Sequence, residues 1–227
     1  MKQTELYFMM FAVMSISGWL LEVTCKYFET GRFINRGFLI GPYCPIYGIG
    51  SVLAVLLLED LFNHPATVFF MAMIICGVLE YITSWLMEKL FHARWWDYST
   101  RRFNLNGRIC LETLIPFGLM CLAIVYIIKP ALFGIFIEIP PDIRHMLCAI
   151  FAALFIADIT ISGHMLRCIR TSADLAHGDN TENLTKAVRA ELAKKGMLLR
   201  RYTKAFPHMK LYNSDIYKRL SEKYGKQ

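Results

Sequence analysis

The chain has 227 residues, 56% of them apolar and 14% aromatic, with a mean hydropathy of +0.39. That is too apolar for an ordinary soluble domain, and the apolar residues are gathered in blocks. The 7 cysteines are scattered without a CxxC pair, so neither a disulfide framework nor a zinc site is expected, and no other metal or cofactor is indicated. The net charge of +7 lies mostly in the C-terminal tail, and basicity beside a membrane domain needs no nucleic acid to explain it.

A bilayer core about 30 Å thick needs about 20 largely apolar residues per helix. Five stretches qualify, near 6–28, 44–62, 65–90, 109–133 and 143–168. The first follows Lys2 and Glu5 and has no small-residue cleavage pattern behind it, so it is expected to be a membrane helix and not a signal peptide. Within it Gly18, Glu22 and Cys25 share one helical stripe.

The run NRGFLIGPYCPIYG follows at 35–48, and residues 37–58 carry no charge. Gly37, Gly41, Pro42, Pro45 and Gly48 are poor material for a plain helix. Broken backbone at membrane depth is tolerated only where protein buries it or where it lines a cavity. The run is therefore either a re-entrant lining, with Gly41, Pro42, Cys44, Pro45 and Tyr47 facing a pocket, or an interfacial loop of turn residues. Its N–H groups and a helix start near Pro45 suit an anionic group, helped by Arg36.

In the third block Gly77, Glu80, Ser84 and Glu88 fall on one stripe. The connector HARWWDYSTRRFNLNGRICLE (92–112) has interfacial aromatics in Trp95, Trp96 and Tyr98. Asp97 can pair with nearby arginines, and Asn104, Asn106 and Gly107 favour turns. GWLLE leading to NRG, and GVLE leading to NGR, suggest a parallel repeat of two hairpins. The fifth block is interrupted by Asp158 and His164.

Carboxylates are costly in hydrocarbon and mark functional candidates. The tail and the connectors holding Lys26, Arg32, Arg36, Lys89, Arg94, Arg101, Arg102 and Arg108 are expected on the cytoplasmic side, because Lys and Arg mark it. The expectation is an all-α, multi-pass protein of the cell membrane, with about five transmembrane helices, the N-terminus outside and the C-terminus inside. Residues 1–170 would form the membrane domain, and 171–227 a basic cytoplasmic tail whose helix near 181–195 lies on anionic lipid, is solvated, or docks on a partner. A polar pocket opening to the cytoplasm would gather Glu22, Asn35, Arg36, Glu80, Asp97, Arg108, Glu112 and Asp158, with Trp96, Tyr98 and Asn104 on its second connector.

Glu22, Asn35-Arg36-Gly37, Gly41-Pro42, the run Cys44-Pro45-Ile46-Tyr47-Gly48, Glu80, Trp96-Asp97-Tyr98-Ser99, Asn104 and Gly107-Arg108 resemble the bacterial ABC-transporter type IV permease family, the CmpB-like group. The resemblance spans about residues 6–135. It implies a membrane subunit working with a separate ATPase, and the chain has no GxxxxGK[ST] loop of its own. Two other readings stay open. One is a membrane-embedded enzyme acting on a lipid or isoprenoid headgroup, although no catalytic signature is present. The other is a non-catalytic scaffold glued by polar side chains.

Overall fold

A computed structural model describes residues 2–175, 181–194, 201, 205, 209–213 and 216. It is almost wholly helical: α1 (Lys2–Thr30), α2 (Pro45–Leu58), α3 (Pro65–Phe91), α4 (Leu111–Ala123), α5 (Lys129–Glu138), α6 (Pro141–Leu175) and α7 (Thr181–Lys194). Four two-residue strands, β1 (Ala93–Arg94), β2 (Asn104–Leu105), β3 (Ile109–Cys110) and β4 (Lys210–Leu211), make two small antiparallel pairs.

Among the described residues, four helical segments are long and apolar enough to cross a membrane: Gln3–Thr30, Pro65–Phe91, Leu111–Glu138 and Pro141–Asp174. The third of these joins α4 to α5 through a π turn, Ile124–Ile128. Pro130 has no N–H for the Tyr126 carbonyl and would clash with it, and the wider turn relieves this. The outer faces carry exposed Leu56, Phe70, Ile74, Val78 and Leu154, as lipid-facing surfaces do.

The expected second span differs. Only Pro45–Leu58 is α-helical, 14 residues and thus about 21 Å long, followed by a 3-10 turn at Glu59–Leu61. Pro42 and Pro45 account for the late start: Pro45 occupies the first helical turn, where a missing N–H does no harm, and the residues before a proline stay extended. The chain reaches this start by dipping into the bundle. Cys44 N donates to the Ser15 carbonyl at 2.8 Å, and Ser15 lies half-way along α1, about 22 Å from Thr30.

The bundle has two polar ends. At one, Glu5 meets His145 (2.9 Å) and Arg144 (3.5 Å), the Tyr126 hydroxyl donates to the Phe62 carbonyl (2.6 Å), and Lys129 pairs with Glu59. At the other lie the connectors 31–44 and 92–110, together with the end of α6. The described parts of the tail sit there too. β4 pairs with β1, and Leu184 and Val188 of α7 are buried with Trp95, Leu166, Ile169 and Leu211. The apolar stripe of α7 therefore packs on protein. The stretch TSADLAHGDN at 171–180 reads in sequence as a turn-rich hinge, but α6 runs on through its first part to Leu175. The remainder of that stretch, and residues 214–224, whose sequence reads as a second short helix, lie outside the described residues, apart from Ile216.

Candidate functional site

Small residues bring the site's helices together. A Cβ on Gly18 would lie 2.3 Å from the Tyr47 ring, and one on Gly48 would lie 2.3 Å from Ser15 Oγ and 2.5 Å from the Phe11 carbonyl. α1 and α2 can approach this closely only because those positions lack side chains. The contact sets Tyr47 against α1 one turn beyond Gly18, where its hydroxyl donates to Glu22 Oε1 at 2.8 Å. Arg36 reaches the other oxygen of Glu22 at 3.6 Å.

On α3 the expected stripe is the inward face: Gly77, Glu80 and Ser84 are buried. Tyr98 of the second connector donates to Glu80 Oε1 at 3.3 Å. The Tyr98–Glu80 pair lies in the neighbourhood of Tyr47 and Glu22. Glu22, Arg36 and Tyr47 on one side, and Tyr98 with Glu80 on the other, thus make a polar cluster where α1, α2, α3 and the connector meet. Burial, with Glu80 beside it, pushes the Tyr98 phenol up, so it remains a proton donor.

A second polar network lies toward the loop end. Arg108, itself buried, donates to Glu88 (3.1 Å) and Ser84 (3.2 Å) and lies over the Tyr81 ring. Arg94 shares Glu88 at 2.8 Å. Trp96 Nε1 donates to the Arg108 carbonyl at 2.9 Å. Asn104 and Asp97 organise the connector: Asn104 Oδ1 accepts from Gly107 N (3.0 Å), and Asp97 Oδ1 accepts from Ser99 N (3.0 Å). Burial opposes the charge on Asp97, but the Lys210 ammonium and the Ser99 donors hold its carboxyl below the ordinary range.

The segment 35–44 has its own clamps. Asn35 Oδ1 accepts from Trp19 Nε1 (2.8 Å) and Gly37 N (2.9 Å), while its amide donates to the Ile40 carbonyl (3.2 Å). Asp158 of α6 accepts from Ile40 N (2.9 Å), Gly41 N (2.6 Å), the Tyr43 hydroxyl (2.7 Å) and the Ser162 hydroxyl (2.7 Å). Arg201 of the tail donates to the carbonyls of Gly37 (2.6 Å), Leu39 (2.5 Å) and Ile40 (3.1 Å). The anionic group expected at these amides is the chain's own Asp158. Pro42 is exposed, whereas Cys44 is buried and Pro45 opens α2.

Not every expected residue joins this cluster. Glu112 pairs with Arg101 at 3.0 Å on the exposed surface, His164 is exposed, and Asp158 serves the loop and not the Glu22–Glu80 cluster. Sequence reasoning passed over Tyr43, Ser162 and Arg201. Tyr43 lies inside the run quoted above, while Arg201 sits in the tail and carries no local signal. Among the described residues no group of three His, Cys, Asp or Glu is arranged to hold a metal ion. A separate hollow of about 530 Å³ on the outer side of α3 and α4, lined by Phe70, Ile74, Val78 and Leu114, is apolar and suits hydrocarbon, not a polar solute.

No curated protein and no solved structure matches the chain. The chain belongs to the family described as Putative ABC-transporter type IV, whose family model matches residues 9–163.

Proposed function

We propose that this member of the family is the membrane-embedded subunit of a transporter whose energy comes from a separate ATPase, and that its working site is the chamber of Glu22, Arg36, Tyr47, Tyr98 and Glu80. The observation that carries the reading is the meeting of these side chains beside a non-helical segment that dips to the level of Ser15. Irregular backbone and ionisable groups at such depth are characteristic of substrate and ion pathways. The connectors rich in Arg, and the basic tail docked beside them, favour the cytoplasm for that end. The chamber then opens inward, where an ATPase would engage.

The test is purification of the tagged full-length chain from its native membrane. A nucleotide-binding chain should co-purify in fixed ratio, and its ATP hydrolysis should drop at least about tenfold on Glu22→Ala or Arg36→Ala, with the complex still assembled, as for loss of an interaction worth about 1.4 kcal/mol. Isolation of the chain alone, with both variants complementing a deletion strain, would sink the reading.

A further inference from the structure

Three acids along the helices, Asp158, Glu22 and Glu80, are held very differently. Asp158 accepts from four donors. Glu22 has the Tyr47 hydroxyl and the Arg36 guanidinium. Glu80, only 6% exposed, has one donor, Tyr98, and its Oε2 has no hydrogen-bond partner among the described residues. Arg108, further along the same face of α3, is turned to Ser84 and Glu88.

The lengths of the hydroxyl contacts point the same way. A hydroxyl donating to an ionised carboxylate lies at about 2.5–2.7 Å. Tyr43 to Asp158 is 2.7 Å and Tyr47 to Glu22 is 2.8 Å, whereas Tyr98 to Glu80 is 3.3 Å. Facing Glu80 are Glu22 from α1, Tyr98 from the connector and Cys76 from its own helix, with Tyr47 of α2 against Tyr98 and Glu22. None of these supplies a positive charge; the nearest cation of the cluster, Arg36, is turned to Glu22 at 3.6 Å and offsets that acid, leaving Glu80 with no counter-charge of its own. Burial without a counter-charge favours the neutral acid.

We propose that Glu80 is a proton-binding site of the chamber, holding a proton on Oε2 at neutral pH. The inference rests on the chamber being the working site, and it names the proton as a ligand there. Protonation adds one H⁺ to the carboxylate, delivered by hydronium at the loop end and leaving water behind. Release returns H⁺ to water and leaves the anion. An incoming cationic group in the chamber would favour release, so that proton and cation exclude one another.

The full-length chain in lipid nanodiscs is examined by infrared spectroscopy at neutral pH in H₂O and D₂O, with the proton itself as probe. The expected result is a protonated-carboxyl C=O band that shifts in D₂O, is lost in Glu80→Gln, persists in Glu22→Gln and moves in Tyr98→Phe. Gln copies the shape of the neutral acid, so the melting temperature of Glu80→Gln should stay at or above that of the wild type. If that variant does not assemble, the wild-type band and its response to Tyr98→Phe still decide. Absence of the band, its survival in Glu80→Gln, or its removal by sodium or potassium chloride would overturn the proposal, the last by marking a metal-cation site instead. The transport reading is judged separately: the band can persist in a chain that recruits no ATPase, and an ATPase-coupled chain can lack the band.

Discussion

Asp158 shows how one side chain can fix a loop. Its two oxygens satisfy two backbone N–H groups and two hydroxyls, and Arg201 satisfies three carbonyls of the same turn. Asp158→Asn puts an NH₂ group against donors, so at least one of those donors loses its acceptor. Each buried donor left without a partner costs about 1–3 kcal/mol. A clear fall in melting temperature is expected for Asp158→Asn, and a smaller one for Ser162→Ala, which removes one of the four donors. Arg201→Ala should leave the spans intact and speed hydrogen exchange at residues 37–41. Unchanged exchange there would contradict the clamp.

At the level of elements, the pairing of α1 with α2 depends on two positions without side chains. A Cβ on Gly48 meets the Phe11 carbonyl, which is backbone and cannot rotate away. Gly48→Ala should therefore cost about 1–3 kcal/mol, the range for overpacking, and displace the Tyr47 hydroxyl from Glu22. Gly134→Ala is the control, since nothing lies within 4 Å of a Cβ there and the helix gains from alanine. Comparable melting temperatures for the two variants would refute the close-packing account. The junction of α3 with its connector gives a pH prediction. Burial, and then Arg170, hold the His92 imidazole below its ordinary 6.5 against the pull of Asp174. The folded chain keeps it neutral, so as the pH falls through 6.5 the unfolded state alone takes up the proton. Stability is full above that value and lost below it. His92 also ends α3 with φ of 50°, a conformation asparagine tolerates. His92→Asn should thus flatten the decline in melting temperature between about pH 7.5 and about pH 5.5.

Across the whole molecule, the arginine-bearing connectors and the docked tail share one end of the bundle, while Glu5, Glu59 and His145 share the other. Arg32→Cys and Arg101→Cys, introduced into a cysteine-depleted chain, should react with an impermeant thiol reagent from the same membrane face, and Asn63→Cys from the opposite one. Labelling of positions 32 and 101 from opposite faces would dismantle the chamber. Much of this plan was legible in the residues. Long uncharged blocks can satisfy their backbone in a bilayer only as helices, and Glu22, Arg36, Tyr47, Glu80 and Tyr98 stood out because charge, hydroxyl or glycine spacing is unusual there. The sequence by itself therefore determined the all-helical class and the break at Gly41 to Pro45. Tertiary structure alone decided that α2 starts half-way along α1, that Glu112 stays on the surface, and that Asp158 and Arg201 complete the loop's hydrogen bonds. Those partners lie 117 and 164 residues from the groups they satisfy, and a backbone group stripped of water takes whichever donor or acceptor the folded chain brings to it, a choice no local pattern encodes.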